Sequence, residues 1–134
     1  MKAKFTGTKL STGKNFLKIC LGDDYLLDVS VHGEMNETDA LEIFEKSKEI
    51  IAMAEKEGKY IRVLVNLNNA KPPSSKARKI LARVDAQERV KRVAFWGLSP
   101  VSRVIANFLI AIGKREKMRF FSTEEEALSW VEEI

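Results

Sequence analysis

The chain has very little of what metal sites, disulfides and membrane spans are made from. Its 134 residues include one cysteine, Cys20, one histidine, His32, three prolines and seven glycines. A lone cysteine closes no internal disulfide, and one thiol with one imidazole is too small a ligand set for zinc, so neither a metal nor a cofactor is expected. The scarcity of Pro and Gly, with 45% hydrophobic and 31% charged residues, excludes the disordered, collagen-like and low-complexity classes. No apolar run approaches the roughly 18 residues of a membrane helix, and the opening MKAKFTGTK has no apolar signal core. The expectation is a cytoplasmic chain that is not an integral membrane protein. Its length suits one domain, residues 1–134, with one core.

Catalytic signatures are also missing. Neither GxGxxG nor a GK[ST] phosphate loop occurs, which removes the best sequence support for a nucleotide enzyme. Gly97-Leu98-Ser99-Pro100-Val101 lies between a strand and a helix, where a hydrolase nucleophile would sit. A nucleophile elbow needs glycine two places after the serine, and Val101 stands there, so Ser99 reads as a helix cap and no enzyme is expected. His32 reads as a partly exposed loop-edge residue, with pH sensing as the alternative. Cys20, in an apolar run, reads as a small buried hydrophobe.

What is abundant is charge, and it is segregated. The net charge is +4. Residues 1–22 hold five Lys and no acid, residues 23–57 hold eleven acids against three Lys, residues 71–119 hold thirteen bases against three acids, and the last fifteen residues carry −5. Such layering favours oriented docking with a charged protein partner or a second copy of the chain. Residues 71–92 alone carry eight bases, but no helix-turn-helix or aromatic-rich sheet accompanies them, and nucleic acid is not expected as a partner.

Hydrophobic periodicity supplies the fold class. Phe16–Leu21 and Tyr25–Val31 flank the turn Gly22-Asp23-Asp24 as a hairpin, with Phe5–Leu10 as a further short strand. In the second run Leu27, Val29 and Val31 alternate with Asp28, Ser30 and His32. From Asn36 the period becomes helical, with Asn36 or Thr38 as cap, a stripe of Ala40, Leu41, Phe44, Ser47, Ile51 and Ala54 widened by Ile43 and Ile50, and an end near Gly58. Tyr60–Leu67 is a β-branched strand, and Asn68, Asn69 and Pro72-Pro73 form the loop after it. Ser74 or Ser75 starts a second helix that buries Ala77, Ile80, Leu81 and Val84 and sets Lys76, Lys79 and Arg83 on another face. Val90–Trp96 is a strand, and Ser99-Pro100 opens a helix closed by Gly113. Lys117–Phe121 is a last short strand, and Ser122 with Glu125 forms a capping box for a helix whose inner stripe is Ala127, Leu128, Val131 and Ile134. The fold class is α/β: a mixed, mostly parallel sheet of four to five strands with an N-terminal β-hairpin and about four helices.

Three stretches, LLDVSVHGEMNETDALEIF, IRVLVNLNNAKPPSSKARKIL, and VKRVAFWGLSPVSRVIANFL followed by MRFFSTEEEALSWV, together resemble the STAS domain family, the anti-sigma factor antagonists, and in particular its SpoIIAA-like branch. The resemblance spans roughly residues 25–131. It implies a mixed sheet with helices packed on one side. It also implies a serine at the start of the second helix, within Asp-Ser-Ser-Gly, that a partner kinase phosphorylates. Here the matching run is Pro73-Ser74-Ser75-Lys76: Ser75 takes the serine's place, Pro73 replaces the acid, Lys76 replaces the glycine, and Asn66 stands where an acid often ends the preceding strand.

The expected function is a non-enzymatic regulatory or protein-binding module of the STAS type. Ser75 and Ser74 are candidates for phospho-acceptor or helix cap. Lys76, Arg78, Lys79, Arg83, Ser99 and Arg103 are candidates for partner or anion contact at the two helix starts. The alternative is a carrier or sensor of a small apolar or lipid-like ligand held between helices and sheet, with Ile105, Phe108, Leu109 and Ile112 lining the pocket.

Overall fold

The computed structural model describes residues 6–12, 15–21, 25–71, 73–85, 87–97 and 117–133. The described elements are β1 (Thr6–Thr12), β2 (Asn15–Leu21), β3 (Leu26–Glu34), α1 (Glu37–Lys56), β4 (Ile61–Lys71), α2 (Ser75–Asp85), β5 (Val90–Trp96), β6 (Met118–Phe121) and α3 (Glu124–Glu132). The described strands form one sheet in the order β1-β2-β3-β4-β5-β6. β1, β2 and β3 are antiparallel, and β3 to β6 run parallel. The expectation of four to five strands is corrected to six, because β1 pairs with β2 along its whole length. Of the four expected helices three are described; the one opened by Ser99-Pro100 lies outside the described residues.

The parallel core follows from its connections. α1 carries the chain from β3 to β4 and α2 from β4 to β5. Strand order advances in one direction, so crossovers of one hand place both helices on the same face. That face holds Leu27, Val31, Ile61, Val65 and Val93 beneath Ala40, Ile50 and Ala54 of α1 and Ala77 and Ile80 of α2. The other face is covered as well: Leu26, Leu64 and Ala94 pack under Ala127, Trp130 and Val131 of α3. Helices on one side only, as the resemblance implied, is therefore corrected. The reason lies in β4 and β5, which are apolar at successive positions and need a layer on each face.

Local chemistry sets the element ends. Asn36 caps α1, its Oδ1 accepting from Asp39 N at 2.9 Å while Asp39 Oδ2 accepts from Asn36 N at 3.1 Å, a reciprocal capping box. α1 closes at Gly58, whose φ is +67°, with Lys59 N donating to Ala54 O at 2.8 Å and Gly58 N to Glu55 O at 3.1 Å, the paired bonds of a Schellman end. Leu41, expected in the buried stripe, is 46% exposed, since the sheet contact centres on Ala40, Ile43, Ile50 and Ala54 and leaves position 41 about 100° away. The cap of α3 is Thr123 rather than Ser122: its Oγ1 accepts from Glu126 N at 3.3 Å. The expected inner stripe of α3 also omits Trp130, which is buried with Arg92 and Arg119 over its ring at 4.7 and 5.0 Å.

Two strand boundaries differ from the periodicity. Tyr25 is not in the strand but precedes it at φ +61°, buried, with its hydroxyl donating to Glu57 Oε2 beyond α1. β4 does not stop at Leu67. A bulge shifts its register with β3 between Ser30 and His32, after which His32, Gly33 and Glu34 pair with Asn69, Ala70 and Lys71. Asn68 N at the bulge donates to Asn66 Oδ1 at 2.9 Å, supplying locally the bond that the ladder loses. His32 accordingly lies within β3, half-buried, and not at a loop edge.

Gly97 ends β5 against this bulge at φ +90°, and a Cβ there would lie 3.0 Å from Asn68 N. Gly97→Ala is expected to cost roughly 1–3 kcal/mol. Gly58→Ala, also at positive φ but with open space around it, is expected to cost less, about 1–2 kcal/mol. Urea denaturation of the two variants checks the order; equal losses would dismiss the steric contact at Gly97.

The Glu57 hydrogen bond, burial and the Glu57 charge all raise the Tyr25 phenol above its ordinary value. The folded chain then holds that proton more tightly than the unfolded one, so this contribution is present below about pH 10 and declines as pH rises through the folded value. Denaturation midpoints are expected to fall more steeply above about pH 10 in the wild type than in Tyr25→Phe; parallel profiles would show that the Tyr25 proton is not linked to folding.

Candidate functional site

The carboxyl ends of β3, β4 and β5 meet the start of α2. Ser74 N donates to Met35 O at 3.0 Å, tying the entry of α2 to the segment after β3. Ser74 Oγ accepts from Ala77 N at 3.2 Å and Ser74 O from Arg78 N at 2.9 Å. Ser74 is thereby the N-cap, and of the two serines it alone takes that role.

Ser75, the next residue, begins the helix and is exposed. Its Oγ accepts from Arg78 Nη2 at 3.2 Å, and Arg78 Nη1 donates to Pro73 O at 3.3 Å. A guanidinium thus sits beside an accessible hydroxyl, where the free N–H groups of a helix start also favour negative charge. Lys76 and Lys79 are exposed, and no acidic group among the described residues is bonded to either. Arg83 is exposed, with its guanidinium 5.0 Å from the half-buried Phe44 ring of α1. The spacing 76, 79, 83 puts the three on one stripe, while Ala77 and Ile80 on the other side are buried and Leu81 and Val84 half-buried, as periodicity predicts.

The helix beside this basic stripe is acidic. α1 exposes Glu45 and Glu49, which pair within the helix with Lys48 and Lys46 at 3.3 Å each. The charge blocks of the sequence have become two adjacent helices of opposite sign on one side of the sheet.

Asn66, which stands where the resemblance places an acid, holds the bulge by accepting from Asn68 N through its Oδ1. Sequence reasoning missed this backbone role and the strap from Met35; the Asn66-x-Asn68 pair was the available signal. Ser99 and Arg103, and the expected pocket residues Ile105, Phe108, Leu109 and Ile112, lie outside the described residues. Among the described residues no three His, Cys, Asp or Glu side chains gather as a metal site, and no helix is long and apolar enough to cross a membrane.

A family profile described as "Domain of unknown function (DUF7793)" matches residues 31–134. The chain belongs to the DUF7793 family. Comparison with curated proteins returns no match. Among solved structures, this DUF7793 chain is similar to an uncharacterized protein of the DUF3478 family with a SpoIIAA-like fold from Shewanella loihica PV-4. The TM-score is 0.58 at 15% identity, over 96% of this chain and 94% of that one. It is also similar to the anti-sigma factor antagonist SpoIIAA in its unphosphorylated form. There the TM-score is 0.53 at 20% identity, over 97% of this chain and 99% of that one. The DUF7793 chain has a STAS, SpoIIAA-like fold.

The division of labour between the serines has a measurable consequence. Ser74→Ala is expected to cost roughly 0.5–2 kcal/mol through the lost cap. Ser75→Ala, which removes one exposed bond, is expected to stay within about 0.5 kcal/mol of wild type. Chemical denaturation checks both, and an equal or reversed order would reassign the cap.

Proposed function

We propose that this chain is a non-enzymatic regulatory module that docks a protein partner with an acidic surface on the outer stripe of α2, under control of the charge at Ser75. The observation that carries this reading is the exposed Ser75 hydroxyl beside Arg78 at the head of a stripe, Lys76, Lys79 and Arg83, that lacks acidic partners among the described residues. Exposed charge left unneutralised adds little to stability and much to the rate and orientation of encounter. The likeness to an anti-sigma factor antagonist solved in its unphosphorylated form supports a binding role and a modifiable group.

With Ser74 as the cap, a phosphate on Ser75 leaves helix nucleation untouched. It adds about −1.5 to −2 charge, held by Arg78 and the helix start, and it cancels much of the Lys76 and Lys79 field toward an acidic partner. Release on modification follows from that sign.

A photo-crosslinking residue at Ala82, exposed between Lys79 and Arg83, is expected to trap a partner in cells that the same residue at Glu126 on α3 does not. Against that purified partner, the combined Lys76→Glu, Lys79→Glu and Arg83→Glu variant is expected to lose at least about tenfold in affinity, and Ser75→Asp to weaken binding while Ser75→Ala preserves it. Affinity should fall with salt, since exposed charges are screened over about 10 Å at 0.1 M. Binding insensitive to both salt and charge reversal would overturn the α2 docking face; Ser75→Asp binding like wild type would overturn the switch.

A further inference from the structure

Beneath the docking stripe the packing is incomplete. Between the α1–α2 layer and the sheet lies a cavity of about 120 Å³, whereas protein interiors hold few voids larger than a water molecule. Its floor includes Val29 of β3 and Val63 of β4, diagonal neighbours across the pairs Leu27–Val63 and Val29–Val65, and both keep accessible surface on the face that α1 and α2 cover. We propose that this space is a binding site for a small uncharged apolar molecule, an inference that stands apart from the docking reading and holds whether or not α2 has a partner.

Three properties of the wall support a ligand in place of a collapsed core. Fifteen of the sixteen described residues that line it are apolar, and the sixteenth, Ser47, donates its hydroxyl to Phe44 O within α1 at 2.7 Å. A buried water needs two to four polar partners, and the described wall residues offer too few to retain one. The floor is mainly β-branched, with Val29, Val63, Val65 and Val93, and such side chains are held near one rotamer and do not swing inward to fill a gap. On the helix side Ser47, Ile51, Leu81 and Val84 are only half-buried, which places the way in between α1 and α2. The volume is close to that of engineered apolar cavities of about 150 Å³, which stay dry and take benzene or xenon. The chemistry recognised is therefore shape and lack of polarity: a benzene-sized aromatic or aliphatic group fits, and a hydroxyl or charge brought inside would lose water without gaining a partner.

The test uses the full chain, with benzene as the probe and phenol as its polar counterpart. Benzene near saturation is expected to raise the melting temperature by roughly 2–5 °C and to shift the methyl resonances of Val29, Val63 and Leu81, while phenol at equal concentration does neither. Ser47→Leu fills the cavity from α1, and its benzene response is expected to vanish with melting equal to or above wild type. Should that variant fail to fold, Val84→Phe fills the space from α2 and is expected to abolish the response in the same way. No benzene response in the wild type, an equal response to phenol, or a response that persists in a folded filled variant would each overturn the site.

Discussion

Over Ile61–Asn66 β4 is paired with a parallel neighbour along each side and carries apolar side chains toward both faces, so this half of the strand has no solvent-facing edge and needs a layer on each face. Val65 meets the α1–α2 layer while Leu64 meets α3. A parallel strand cannot be closed by a tight turn, so each neighbour of β4 brings a crossover helix with it. One stiff central strand thereby dictates where α1 and α2 lie, why α3 has a second face to cover, and where three strand ends come together.

Those strand ends are where the ladder of the parallel core becomes irregular. The bulge at Asn66–Asn68 lets β4 run on past its apolar stretch, and Gly97 is the residue that can approach it closely enough to finish β5. The same corner receives α2, strapped by Ser74 to Met35 and capped by Ser74 itself. Because the corner is held by Ser74, Met35 and Asn66, the exposed side chains of Ser75, Lys76 and Lys79 are not needed to build it, as a binding surface on a rigid scaffold requires.

α2 then has two working sides. Its outer stripe bears the positive charges of the proposed docking face, and its inner side, through Leu81 and Val84, roofs the proposed apolar site.

Periodicity and end chemistry were enough to read α/β class, the alternation of strands and helices, Gly58 as the end of α1 and Asn36 as one of two candidates for its cap, and the inward set of α2, because each of these is settled within a turn or two of chain. The segregation of charge was equally legible along the sequence. Apart from the cap of α3, which moves one residue to Thr123, misreadings occurred where a distant segment had the deciding vote. Leu41 is exposed because of where the sheet lies under α1, Tyr25 leaves the strand to reach Glu57 across the fold, and β4 outruns its apolar pattern because the end of β3 is there to pair with it. Trp130 and α3 took the second sheet face for the same reason, since no local pattern says which face a helix must cover. What the amino-acid order determined by itself was local conformation and the sign of each surface; which serine caps and which stays exposed, and that an apolar space remains under α2, were decided only when strands distant in sequence came into register.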